Sequence, residues 1–233
     1  MKQLALGVGL RANAVFANFC VGANVEILAA LEADGRDPLW LFGSRGSGKT
    51  HLLQAACAAT PGPAVYFPLA ESGEPAAAAL PPEALRGLAE CRVVCIDDVD
   101  AVASDRRWEE ALFRLFNEAQ ESHARLIFAA GRPPRQIEWH LDDWRSRAAA
   151  CVVYQVQELD EAGRAQALSL RAEQRGITLP PETLDYLMKR MPRDLHSLFD
   201  ILDELDEASL AAQRRLTIPF IRDALERRAE TKS

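Results

Sequence analysis

The segment "LWLFGSRGSGKTHLLQAACAA" constrains the fold of this 233-residue chain more than any other. An apolar run from Leu39 to Phe42 leads into "GSRGSGKT", and an amphipathic helical pattern follows at once. The octapeptide satisfies G-x-x-x-x-G-K-S/T with Gly43, Gly48, Lys49 and Thr50. Its glycines, Gly43, Gly46 and Gly48, let backbone N–H groups turn inward on phosphate oxygens, with Ser47 among them, and the helix behind directs its positive end at the same place. Lys49 is expected to neutralise the β- and γ-phosphates and the Thr50 hydroxyl to ligate Mg²⁺, with His51 beside them in the nucleotide-binding set.

The surrounding pattern is that of an α/β fold. "LWLF", "AVYFPL", "RVVCID", "RLIFAA" and "CVVYQV" read as buried strands of a mainly parallel sheet. Helical patterns over 50–59, 83–90 and 108–122 lie between them, the last with Trp108, Ala111, Leu112, Leu115, Phe116 and Ala119 on one face. "RVVCIDDVD" ends in two carboxylates: Asp97 is placed to hold Mg²⁺ through water, and Asp98 to polarise an attacking water. Alone, this is equally a strand ending in a capping aspartate; downstream of the phosphate loop it becomes a nucleotide–Mg²⁺ element. The expected architecture is a P-loop NTPase three-layer sandwich with a five-stranded parallel sheet. After Glu158 no strand pattern remains: Asp160 can cap a helix that stops at Gly176, Pro181 starts another, and helical patterns cover 194–213 and 217–228. The chain therefore divides into a terminal segment 1–10, a nucleotide-binding domain 11–157 and a helical lid 158–233.

Composition narrows the function. The net charge of −7 repels duplex DNA, and the arginines of "RAEQRG" and "LERRAE" are interleaved with acids as on solvated helix faces, so little direct duplex binding is expected. No apolar run reaches membrane-spanning length and the N-terminus lacks a secretory pattern. Five scattered cysteines, an odd number without metal-ligand spacing, read as reduced core residues of a cytoplasmic protein.

These motifs followed by a helical lid resemble the AAA+ ATPases, and among them the clade of the bacterial replication initiator DnaA. "FANFCVGANVEIL" is similar to that clade's F-x-x-F-x-x-G-x-N box, through Phe16, Phe19, Gly22 and Asn24, which the resemblance places beside the adenine of ADP or ATP. Without the phosphate loop the same residues are two core aromatics and a turn. "LLQAACA", "CIDDVD", "GRPPRQ" and "QRRLTIPFI" resemble the Hda-type regulatory inactivators of DnaA, and the likeness runs through essentially the whole chain. It implies no initiator-type DNA-binding domain. It also gives meaning to "QLALGV": Gln3, Leu4, Leu6 and Val8 are similar to the short peptide by which bacterial proteins dock on the replicative sliding clamp, although a frayed terminus would look no different.

The resemblance also assigns roles along the catalytic edge. Arg147, by itself a surface arginine near Asp142 and Asp143, takes the place of the arginine finger that reaches a neighbour's γ-phosphate, with Arg145 as its competitor. Two positions depart from a working ATPase. After the fourth strand "FAAGRPP" offers Ala129, Ala130 and Gly131 where a polar side chain, Asp in the DnaA group, orients water. His196 stands where the lid arginine reads nucleotide state, or is simply a packed helix residue, and Arg193 lies one turn away. Weak or absent intrinsic hydrolysis is expected, with Asp97 and Asp98 doubtful in cis. The implied function is an adaptor that docks on clamp and stimulates hydrolysis of initiator-bound ATP in trans, and a homodimer or higher oligomer is open. The alternative is an autonomous AAA+ ATPase of helicase-loader or remodelling type, for which Trp139 and Trp144 beside Arg135 and Arg145 form the one candidate single-strand-binding cluster.

Overall fold

The structure, a computed structural model, describes residues 14–71, 74–75, 80–191, 195–212 and 217–223. Two compact units divide between Glu158 and Leu159. In the first, the chain runs through helix α1 (Val25–Glu32), strand β1 (Leu39–Phe42), helix α2 (Lys49–Ala59), strand β2 (Ala64–Pro68), the two-residue strands β3 (Ala70–Glu71) and β4 (Glu74–Pro75), and strand β5 (Val93–Asp97). It continues through helix α3 (Arg106–Ser122), strand β6 (Arg125–Ala130), helix α4 (Asp142–Ala149) and strand β7 (Val152–Gln155). The five longer strands form one parallel sheet in the order β2-β5-β6-β1-β7.

Strict alternation along the strands builds both cores, because successive side chains leave opposite faces. Leu39, Leu41, Val93, Cys95, Ile127 and Ala129 pack with Ile27 and Leu31 of α1 and Leu52 and Leu53 of α2. The alternate set, Trp40, Val94, Ile96, Leu126, Phe128 and Ala130, packs with the apolar stripe of α3 and with Trp144 and Ala148 of α4. Three layers follow, as the sequence pattern predicts. α3 begins at Asp105, whose carboxylate accepts from the Arg107 N–H at 2.9 Å as an N-cap.

Two expectations need correction. The helix expected over 83–90 is two 3₁₀ turns, Pro82–Leu85 and Leu88–Glu90, because Gly87 adopts φ 77° and interrupts the hydrogen-bond ladder. "CVVYQV" is not a buried strand: β7 is an edge that pairs with β1 alone, leaving Val152 and Val153 exposed.

The second unit holds helices α5 (Glu161–Gln174), α6 (Pro181–Arg190) and α7 (Leu195–Ala212), with a further helical turn over 218–223. Asp160 caps α5 by accepting from the Gly163 N–H at 2.7 Å, and Gly176 follows its end at φ 72°. Leu168, Leu187, Leu198, Leu202 and Ile221 form its core, and Arg171 of α5 and Arg175 just after it pair with Asp203 of α7 at 3.1 and 2.8 Å. No helix among the described residues is long and apolar enough to cross a membrane.

Candidate functional site

The loop between β1 and α2 has the shape its glycines require. Gly46 and Gly48 sit at φ 84° and 101°, in the left-handed region that a Cβ disfavours. Gly43 is excluded from carrying a side chain by space: a Cβ there would stand 2.6 Å from the Val156 carbonyl oxygen and 3.0 Å from Ser47 Oγ. That carbonyl cannot easily retreat, since the Val156 N–H is bonded to Phe42 O at 2.7 Å. Lys49 opens α2 and is buried; its Nζ donates to the carbonyls of Gly43 and Ser44, at 2.8 Å each. Burial pushes this ammonium below the usual lysine range, against the opposing pull of Asp97, Asp98 and Asp100. Ser47 Oγ is buried without a hydrogen-bond partner. A desolvated cation, an orphaned hydroxyl and a helix N-terminus at a cradle with no room for a side chain fit a phosphate group.

Asp97, at the end of β5, is 1% exposed and anchors the second half. Its Oδ2 accepts from Thr50 Oγ1 at 2.7 Å and from the Tyr66 hydroxyl at 2.9 Å, while Oδ1 accepts from the Asp98 N–H at 3.0 Å. A threonine hydroxyl and a carboxylate locked together beside a phosphate cradle are the oxygen donors that Mg²⁺ prefers. Asp98 stands at φ 53°, and its carboxyl is pushed up to about 6, first by burial and then by the Asp97 charge, with Lys49 opposing. Tyr66 escaped the sequence reading; the one available signal was a hydroxyl inside the otherwise apolar β2. Burial and the Asp97 charge raise its phenol well above the ordinary tyrosine value, so it stays a donor.

The aromatic box is split by the structure. Phe19 lies against the loop, where a Cβ on Gly48 would come within 2.8 Å of its ring, and its ring centroid is 5.7 Å from that of His51. His51 Nε2 lies 3.0 Å from Val15 O, tying the start of α2 to the segment before Phe16. Gly22 turns the chain at φ 50°. Asn24 is 2% exposed, its Nδ2 donates to Gln157 O at 3.0 Å and its Oδ1 accepts from Gln157 N at 2.8 Å. That reciprocal pair ties the start of α1 to the chain leaving β7 and occupies both ends of the amide.

At the other face, Arg147 lies in the last turn of α4, half-buried, its guanidinium 5.6 and 6.0 Å from the ring centroids of Phe116 and Phe113. Arg145 is exposed and pairs with Asp142 at 2.8 Å. The start of α4 is held by a residue that no sequence motif marks, Glu109 of α3, which is 0% exposed. Its Oε1 accepts from the N–H groups of Ser104 and His140 at 3.0 and 3.2 Å, and its Oε2 from Leu141 N at 2.6 Å. Trp139 and Trp144 are core residues, edge-on to each other and to Trp40 and Phe128 respectively, which removes them as a single-strand platform. Gly131 follows β6 bare, as expected, but its N–H donates to Asp100 Oδ2 at 3.0 Å. Gln3, Leu4, Leu6, Val8 and Arg193 lie outside the described residues, as does the side chain of His196.

A parallel sheet of this order with the phosphate loop after β1 and a carboxylate ending β5 defines an AAA+ P-loop ATPase fold. Solved structures share it. Domain III of the Thermotoga maritima replication initiation protein DnaA superposes with TM-score 0.77 at 24% identity, over 94% of this chain and 98% of that one. AMPPCP-bound DnaA from Aquifex aeolicus gives 0.68 at 23%, over 83% and 64%. The Thermotoga maritima RuvB Holliday junction branch migration motor gives 0.60 at 14%, over 82% and 61%. Two family descriptions then match the sequence: the bacterial DnaA ATPase domain over residues 83–155, and the Hda lid domain over 160–225. On this AAA+ fold, residues 83–155 are thus similar to a DnaA-type ATPase domain and residues 160–225 to an Hda-type lid.

Proposed function

We propose that this chain binds ADP or ATP with Mg²⁺, docks on the DNA-loaded sliding clamp through Gln3, Leu4, Leu6 and Val8, and drives hydrolysis of ATP held by the initiator DnaA, so that replication does not restart. The observation that carries the reading is a complete phosphate cradle in a chain whose strand β6 ends in a bare Gly131, followed by an Hda-type lid. Lys49, which donates to the Gly43 and Ser44 carbonyls, and the buried Ser47 Oγ would hold the nucleotide's phosphates. Thr50 and Asp97 would hold Mg²⁺, which would supply charge neutralisation to the phosphates. Arg147 leaves its aromatic shelf, a contact of about 0.5–1 kcal/mol, to meet the partner's γ-phosphate, where a guanidinium is worth about 10³ to 10⁵ in rate. A fixed planar cation does this and a lysine does it poorly.

The test is initiator preloaded with labelled ATP, mixed with this protein and clamp on DNA. Conversion to ADP is expected with the wild type, and not with Arg147→Ala or with Gln3→Ala/Leu4→Ala. Conversion that persists in Arg147→Ala overturns the finger assignment. No conversion by the wild type, with steady turnover by the protein alone, instead establishes the autonomous ATPase, a reading the intact Asp97–Thr50 pair also supports.

A further inference from the structure

The bare Gly131 is not an empty place. β6 lies beside β5, so the chain leaving Ala130 emerges next to the chain leaving Asp97, in the crevice beyond the carboxyl ends of the strands. From that neighbouring exit, the 3₁₀ turn Val99–Val102 carries Asp100, and its Oδ2 accepts from the Gly131 N–H at 3.0 Å. A Cβ placed on Gly131 would stand 3.0 Å from this same oxygen, the one close neighbour of that position among the described residues. Gly131 is not among the residues with positive φ, so its backbone would accept a side chain. What fills the space is a carboxylate supplied by the adjacent strand's turn. Asp100 also acts on the charges of both Lys49 and Asp98, which puts it within electrostatic reach of the phosphate loop.

We propose that Asp100 orients the hydrolytic water at the γ-phosphate of this chain's own ATP, standing in from the turn after β5 for the side chain that position 131 lacks. The inference rests on the reading of the cradle as an ATP site. A carboxylate there accepts a hydrogen bond from the water while the Gly131 N–H fixes its other lone pair. The water oxygen bonds to the γ-phosphorus as the bond from phosphorus to the β–γ bridging oxygen breaks. ADP leaves with that oxygen, and the water's proton passes through the neighbouring carboxylates to solvent. Low turnover and a bare Gly131 are then compatible with a chain that still resets its own nucleotide.

The experiment is a carboxylate transplant in the full chain, read as single-turnover phosphate release from labelled ATP, with ADP affinity and thermal unfolding measured in parallel. Asp100→Ala should slow release by about tenfold or more without lowering ADP affinity. Gly131→Asp alone should also be slow, because its Cβ meets the Asp100 carboxylate. Asp100→Ala/Gly131→Asp should regain a rate within about threefold of wild type, since the carboxylate returns from the position it replaced. A purely structural Asp100 would lower ADP affinity or unfolding temperature and would not be rescued by the transplant. Unchanged release in Asp100→Ala, a double variant that binds ADP yet stays slow, or a wild type that binds ATP and releases no phosphate each overturns the proposal. Absence of ADP binding by the wild type removes the cradle reading as well, whereas failure to act on initiator-bound ATP leaves this assay standing.

Discussion

Glu109→Gln isolates the one buried carboxylate that organises the start of α4. The wild-type side chain, 0% exposed, serves three backbone donors: Ser104 and His140 on Oε1, Leu141 on Oε2. Glutamine keeps the volume but makes one terminal atom a donor. The better flip leaves the oxygen with Ser104 and His140 and sets NH₂ against the Leu141 N–H. One charge-assisted bond is lost, a buried donor is left unmatched, and the two remaining bonds become neutral. These terms sum to about 2–4 kcal/mol. In a unit of this size each kcal/mol moves the midpoint by about 2–4 °C, so a fall of about 5–15 °C is expected. Near-ultraviolet circular dichroism of nucleotide-free protein reads it directly, because Trp139 and Trp144, packed edge-on to each other, flank the tethered segment. Under the proposed function the same variant loses stimulation of initiator-bound ATP hydrolysis while its own ADP affinity is kept, since Leu141 is the N-cap of the helix that carries Arg147. A shift under about 2 °C would refute the reasoning and assign the three donors to solvent.

Two further outcomes test the cradle. Gly43→Ala forces a Cβ to 2.6 Å from Val156 O, so ADP affinity should fall by at least about tenfold in equilibrium titration while the far-ultraviolet spectrum is retained; full affinity would show that the loop does not hold phosphate in this shape. For Asp98 the sign runs toward acid: its folded carboxyl is raised to about 6 above an ordinary value of 3.8, so the folded state holds the proton more tightly than the unfolded chain. The resulting stability is fully present below 3.8 and is lost as pH rises through about 6, so Asp98→Asn should raise the midpoint of nucleotide-free protein more at pH 7.5 than at pH 4.5. Asparagine also suits the φ of 53°, so an equal or larger gain at the acid end would contradict the assigned cause.

What was legible in the sequence was whatever is encoded locally. The phosphate loop needs its glycines, lysine and threonine at fixed spacing, and the strands announce themselves by apolar runs; Asp160 and Gly176 mark a helix by side-chain capping and a left-handed turn. What was not legible depends on residues brought together from distant elements. Nothing in "RRWEEALF" distinguishes Glu109 from Glu110, yet one is sealed beneath 140–141 and the other pairs with Arg106 at the surface. Asn24 matched a nucleotide-side box, but its amide is consumed by Gln157, a partner 133 residues away. The edge position of β7 was hidden too, because an apolar run carries no record of how many neighbours its strand acquires.

The two faces of the sheet hold different working parts, and the chain from Asp97 to Leu141 joins them. α1 and α2 enclose the phosphate loop on one face; α3 and α4 carry Arg147 on the other. Between them, Asp97 holds Thr50, Asp100 holds Gly131 at the end of β6, and the turn closing at Ser104 is bonded to Glu109, which in turn holds Leu141 and the start of α4. Every step is a side chain satisfying a backbone group or a neighbour in this crevice. Contiguity of this kind is not itself coupling, which requires an element with two arrangements that both ends bias. The Asp97–Asp100 turn is the place to look for one, because Asp97, Asp98 and Asp100 crowd it with Lys49 as the opposing cation, and a nucleotide bound there with Mg²⁺ would change that balance of charge.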